Sequence, residues 1–169
     1  DLLAKETKKF ITEHKNGSPF FAYVAFNAPH SPMQGKIEDL LQYGYNPTKP
    51  TDGYPTGGAR RGERNLDVYG KAGRGNTSRQ TFSAMVDAMD ELIGRIIKHL
   101  KDEGIYDNTL IWFLSDNGGI PRFGGNNEPL RVHKHTEWEG GVRVVSLLSW
   151  PGHFESRHNL DQMVFYIYI

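Results

Sequence analysis

The sequence predicts an α/β fold: a predominantly parallel, mixed sheet flanked by helices. Three observations carry that reading. Leu110-Ile111-Trp112-Phe113-Leu114 is a short apolar run without alternation, which suits a strand covered on both faces. Phe20-Phe21-Ala22-Tyr23-Val24-Ala25-Phe26 repeats that pattern. Between the two lies a long helical periodicity over 77–102 that leads straight into the later run. Helix-to-strand succession is how parallel α/β sheets are built.

Composition narrows the function classes. The 169 residues suffice for one domain with a real core. Lys+Arg and Asp+Glu both number 20, so the formal net charge is zero and no charge footprint for nucleic acid or an anionic membrane is present. No apolar run approaches a membrane span. Cysteine is absent, which removes disulfides, thiolate metal sites and cysteine nucleophiles together. No signal-peptide pattern opens the chain. Asp1 is not a natural start residue, so a piece of a longer protein is expected.

Residues 2–14 read as an amphipathic helix. Leu3, Phe10 and Ile11 share a face, and Lys5, Glu6, Lys8, Lys9 and Glu13 take the other. Gly17 and Pro19 end it. The run 20–26 follows as a buried strand and closes in Asn27, Pro29, His30 and Pro32. His30, between prolines, cannot lie in regular helix. A lone His after a strand is commonly a hydrogen-bonded surface residue, but its place at a strand end makes it a site candidate.

Residues 34–45 hold a short helical turn. From Asn46 to Asn76 the chain is rich in Gly, Pro, Arg and Asp without apolar periodicity, which describes a long loop. Its arginines (Arg60, Arg61, Arg64, Arg74) suit either a solvated loop or an anionic substrate. Asn16-Gly17-Ser18 and Asn76-Thr77-Ser78 fit the N-glycosylation pattern, which is common by chance.

Residues 77–102 give the clearest element. Phe82, Met85, Val86, Met89, Leu92, Ile93, Ile96, Ile97 and Leu100 recur at three- and four-residue steps. Thr77 and Gln80 have capping-box spacing, and Lys98, His99 and Lys101 suit the far end of the dipole. The strand over 109–115 then stops abruptly in Ser115-Asp116-Asn117-Gly118-Gly119. Ligand crevices of open α/β sheets lie beyond strand carboxyl ends. Asp116 and Asn117 there offer a carboxylate and an amide oxygen, hard ligands for Ca²⁺ or Mg²⁺. The same step also describes a plain tight turn. Asn126 and Asn127 precede a basic stretch, Arg131 to His135, and the double glycine Gly140-Gly141. A further strand over 143–149 closes in Pro151-Gly152.

The ordered set PFFAYVAFNAPHSP, AMVDAMDELIGRIIKHL, NTLIWFLSDNGG and LRVHKHTEWEGGVRV with LLSWPG resembles the type I sulfatase family, over nearly the whole chain outside 46–76. The resemblance implies an alkaline-phosphatase-like α/β fold, incomplete here, with 1–169 forming part of the catalytic domain. It implies hydrolysis of sulfate esters by a formylglycine nucleophile made from the Cys or Ser of a C/S-x-P-S/A-R motif. It implies a divalent cation, usually Ca²⁺, held partly by Asp116 and Asn117. His30 and Lys134 match the residues that contact the sulfate. The implied substrate is a sulfated small molecule or carbohydrate, in a periplasmic, secreted or lysosomal setting.

The departures are chemical. Ser149-Trp150-Pro151 has the Ser-x-Pro spacing but lacks the Arg and falls in the WPG segment, so the nucleophile motif is absent. The amino-terminal acidic ligands are missing too, and the family's later Asp falls near Tyr168. Two other readings stay open: a phosphoesterase or phosphonate hydrolase of the same superfamily, and a non-catalytic domain that binds a cation or sulfated ligand.

Overall fold

The computed structural model of the chain describes residues 1–51 and 73–164. Most of the expected loop, with Arg60, Arg61 and Arg64, lies outside the described residues, as does Tyr168. The elements are α1 (Leu2–His14), α2 (Ile37–Gln42), α3 (Ser78–Asp102), β1 (Ile111–Leu114), α4 (Glu139–Val142) and β2 (Ser146–Ser149), with single 3₁₀ turns at Tyr106–Asn108 and Pro121–Phe123. Among the described residues no helix is long and apolar enough to cross a membrane.

The helix α3 is the frame. Its amino terminus is set by the capping box expected from sequence: Gln80 N–H donates to Thr77 Oγ1 at 3.2 Å, and Thr77 N–H donates to Gln80 Oε1 at 3.1 Å. Both α1 and α2 pack on α3. From α1 the buried residues are Ala4 and Ile11, seven positions apart, while Leu3 is 41% exposed. Leu3 sits about 100° around the helix from Ala4, far enough to miss the contact. At the other end of this pair, Glu103 accepts from the Lys15 ammonium and from Thr12 Oγ1, the latter at 2.9 Å. These two donors hold the Glu103 carboxyl below its usual range.

The segment after α1 corrects one expectation. Residues 20–26 take no regular secondary structure and join no ladder among the described residues. An apolar run says that a segment seeks cover; it does not say from what. Here Phe20 meets the Phe10 ring edge-on at 5.4 Å, and Phe26 and Ala28 line a groove with Met85, Met89 and Leu92 of α3. Phe21 and Tyr23 stay 75% and 82% exposed. Met33 is fully buried against Met85, with Ala28, Phe82 and Phe123 packed around them.

The stripe of α3 therefore does not lie on the sheet as expected. The nearest backbone neighbours of α3 are α1, α2 and the two 3₁₀ turns, the 28–33 segment packs on it at Phe82 and Met85, and no Cα of β1 or β2 lies within 8 Å of one of its own. The sheet is an antiparallel pair, with Ile111 opposite Ser149 and Leu114 opposite Ser146. Every residue of β1 is half-buried, and every residue of β2 is exposed. The strands at 109–115 and 143–149 are thus found, trimmed at their ends, while the parallel partner expected at 20–26 is not among them.

Three polar residues, Asn76, Asp39 and Thr81, are buried among those described. Asn76 is 8% exposed; its Nδ2 donates to the carbonyls of Asn46, Lys49 and Pro50 at 3.0–3.2 Å, and its Oδ1 accepts the Asn46 N–H at 2.8 Å. Of the two glycosylation-like motifs, this one has its amide engaged inside the fold, whereas Asn16 is exposed. Asp39, on α2, is buried with Oδ2 lacking a hydrogen-bond partner.

Burial raises the pKa of Asp39; Lys36 opposes the rise, and Glu38, Asp87 and Glu91 add to it. The folded chain therefore takes up a proton on Asp39 more readily than the unfolded one. The stability this supplies is complete below the ordinary carboxylate range and is lost as pH climbs through the raised native value. Equilibrium unfolding across mildly acidic pH should show that decline, and Asp39→Asn should flatten it. An unchanged slope in the variant would refute the assignment.

Candidate functional site

The antiparallel register puts the end of β1 beside the start of β2. Ser115 N–H donates to the Val145 carbonyl at 3.1 Å and extends the pairing one step further. The Asp116–Gly119 loop and α4 must then meet, and they do so backbone to backbone. Gly118 N–H donates to the Gly141 carbonyl at 2.9 Å. A Cβ on Gly118 would stand 1.8 Å from the Gly140 oxygen, so only glycine fits.

The segment 131–137 wraps the other side of α4. Gly140 N–H donates to the Arg131 carbonyl at 2.9 Å, and a Cβ at Gly140 would meet the Val132 oxygen at 2.3 Å. Val132 and His135 take left-handed backbone, φ +61° and +73°, uncommon for such side chains. Thr136 Oγ1 donates to the His133 carbonyl at 2.6 Å. His133 Nδ1 lies 2.7 Å from the Lys134 carbonyl, and since a carbonyl only accepts, that nitrogen carries the hydrogen. The Arg131 guanidinium lies 3.8 Å over the Trp138 ring.

The side chains singled out by sequence sit as follows. Asp116 is exposed and makes no hydrogen bond or ion pair among the described residues. Asn117 is half-buried; its Nδ2 donates to the Gly118 carbonyl at 3.4 Å, and its Oδ1 accepts no hydrogen bond there. Lys134 is half-buried, its ammonium unpaired among the described residues. His30 is exposed in a turn closed by its N–H on the Asn27 carbonyl at 2.8 Å. Its Nδ1 donates to the Ser31 carbonyl at 2.7 Å, which leaves Nε2 outward.

The fold thus brings the Asp116–Asn117 loop against the Lys134 loop. His30 is linked to them only indirectly: Ala28 and Met33 of its segment share a cluster with Phe123, which follows the Asp116–Gly119 loop. No bond joins His30 to Asp116, Asn117 or Lys134. Sequence reasoning gave Asn127 no role, yet it bonds to both loops. Its Oδ1 accepts the Gly119 N–H at 2.8 Å, and its Nδ2 donates to the Gly119 carbonyl at 2.8 Å and the Val132 carbonyl at 3.1 Å. The only signal was a polar residue ahead of a basic stretch.

A family profile described as Sulfatase matches residues 1–165. The chain belongs to the sulfatase family. Among curated relatives it is 32% identical over 150 residues to mouse arylsulfatase J, covering 89% of this chain and 20% of that protein. To the rat N-acetylgalactosamine-6-sulfatase it is 32% identical over 157 residues, covering 90% and 24%. The sulfatase chain therefore spans about a fifth to a quarter of the length of these relatives. Among solved structures it resembles Ps i-CgsB in complex with k-i-k-neocarrahexaose, with a TM-score of 0.68, 36% identity, and coverage of 90% of this chain and 28% of that one. A second Ps i-CgsB structure gives a TM-score of 0.69 and 37% identity, with the same coverage. These neighbours have the alkaline-phosphatase-like sulfatase fold, of which the α/β arrangement described above is a part.

Sulfatases are generally metal-dependent. The donor set here fits a share of a hard cation's shell: side-chain oxygens on two consecutive residues, neither engaged by a donor among the described residues, on a loop whose backbone is pinned at Gly118 and Gly119. Among the described residues no three His, Asp or Glu side chains gather in a metal-binding arrangement. Two oxygens fall well short of the six to eight that Ca²⁺ takes.

Gly118→Ala tests the contact between the loops. The new methyl cannot coexist with the Gly140 carbonyl, so the loops must part, at a cost of about 1–3 kcal/mol. Amide exchange in the intact protein should quicken over 116–119 and 138–142. Unaltered exchange there would mean that the contact does not hold the loops.

Proposed function

We propose that the protein containing this chain hydrolyses sulfate esters, and that Asp116, Asn117, His30 and Lys134 are its contribution to the site. The observation that carries this reading is the glycine contact that seats the Asp116–Asn117 loop against the Lys134 loop. Sulfatase membership over nearly the whole chain supports it. The substrate class is a sulfated carbohydrate or a smaller sulfate ester, in keeping with the oligosaccharide named for Ps i-CgsB. The setting follows the family, periplasmic, secreted or lysosomal.

Each residue has a chemical task. Asp116 Oδ and Asn117 Oδ1 would hold a Ca²⁺, as two of the six to eight oxygens it takes. That cation would supply electrostatic stabilisation of charge on the nonbridging sulfate oxygens. Lys134 adds a second positive charge towards the same oxygens, its ammonium having no partner among the described residues to be released from. His30 presents Nε2 outward; as imidazolium it donates that proton to the departing ester oxygen, while the Ser31 carbonyl keeps the ring oriented. The nucleophile is not within 1–169, since no C/S-x-P-S/A-R motif occurs there.

Two measurements test the proposal. Purified 1–169 should not turn over an aryl sulfate and should bind Ca²⁺ weakly. The full protein should turn it over, and Asp116→Ala should lower kcat/KM by at least about 100-fold, more than is typical for losing a residue behind the metal ligands. Lys134→Ala should cost on the order of 100-fold or more. Full activity in Asp116→Ala, or a full protein inert towards every sulfate ester tried, would overturn the reading.

A further inference from the structure

Asn127 stands between the two loops and has its amide divided between them. The group offers one oxygen and two N–H donors. The oxygen takes the Gly119 N–H at 2.8 Å; the nitrogen gives to the Gly119 carbonyl at 2.8 Å and to the Val132 carbonyl at 3.1 Å. Gly119 lies two positions after Asn117, and Val132 lies two positions before Lys134. We propose that Asn127 is a positioning residue whose side-chain amide locks Gly119 to Val132 and so sets the separation between the Asp116–Asn117 pair and Lys134. This rests on the roles proposed above for those three residues.

The chemistry is particular to asparagine. Its planar amide pairs with both backbone groups of Gly119 as a neighbouring strand would, and still has one N–H for Val132. Aspartate keeps the acceptor for the Gly119 N–H but turns a negative oxygen towards two carbonyls. Serine and alanine cannot span the loops. The Val132 turn also needs holding from outside, because a β-branched residue at φ +61° does not favour that shape unaided. Asn127 grips its carbonyl, and Gly140 N–H grips the neighbouring Arg131 carbonyl. When two charged groups must face one substrate, a displacement near 1 Å costs about 100-fold in rate.

The test uses the full protein with Asn127→Ala and Asn127→Asp. Asn126→Ala is the control; Asn126 is exposed and only accepts the Glu128 N–H, at 3.0 Å. Both Asn127 variants should lose about 100-fold in kcat on a sulfate ester, with KM changed far less and the unfolding midpoint close to wild type. Hydrogen exchange should quicken at least tenfold over 138–142, a segment to which Asn127 makes no hydrogen bond, while 111–114 and 146–149 keep their wild-type rates. The control should match wild type throughout. Unchanged kcat, a kcat loss that tracks loss of folded protein, or unchanged exchange over 138–142 would each overturn the proposal. If Asn127→Ala does not fold, Asn127→Asp carries the same measurements. If the wild-type protein hydrolyses no sulfate ester, the functional reading fails on its own, and the exchange data still decide whether Asn127 locks the loops.

Discussion

The site depends on one contact made entirely of backbone: Gly118 laid on Gly140 and Gly141. Side chains ordinarily keep two loops at a van der Waals distance from each other. Where both surfaces are glycine, peptide groups approach closely enough to hydrogen-bond, and each loop becomes part of the other's wall. The antiparallel register of β1 and β2 delivers the loops to the right end, but without this contact they would only be neighbours. Everything proposed for Asp116, Asn117 and Lys134 follows from their being carried on two faces of one stack.

That arrangement also explains why the side chains proposed for the site are so little engaged. Asp116 and the Lys134 ammonium take no protein partner among the described residues, and the Asn117 oxygen accepts no donor there. Charged or polar groups left this free are poor contributors to stability. They are useful if the loops beneath them are held by something else, because an incoming cation or anion then meets groups that need not break existing bonds. Here the holding is done by glycine backbone and the Asn127 amide, and the side chains above remain available. Pre-organisation is assigned to residues with no reactive chemistry of their own.

The sequence made periodic elements legible and pairing partners much less so. The stripe and capping pair of α3 were readable because helical periodicity and the Thr77–Gln80 spacing are local properties. The strands β1 and β2 were readable as apolar runs, although neither is fully buried. Residues 20–26 carry the same signal, yet Phe20 packs on Phe10 and Phe26 lines the groove along α3 while Phe21 and Tyr23 stay exposed, since hydrophobicity reports a demand and not its supplier. Asp116 and Asn117 stood out as candidates because a carboxylate and an amide at a strand end have a chemical meaning. Asn127 did not, because its importance lies in which two backbones it bridges, a matter of three dimensions. The same holds for Gly118 and Gly140: glycine permits close approach in any sequence, but only the fold names the partner.

Asn76 has a consequence that reaches beyond local packing. Its amide fastens 46–50 to the start of α3, two residues before Ser78, and Gly35 N–H donates to the Gly73 carbonyl at 2.8 Å. The chain on either side of 52–72 is thereby stapled at its base. Closing a longer span between fixed ends costs little, roughly 0.6 kcal/mol for each doubling of length. Insertions or exchanges within that span would leave the register of α3, and so the frame of the site, where it is. Evolution could thus rewrite the span between the staples while α3 keeps its place, which gives a scaffold of this kind room for sequence change without a new fold.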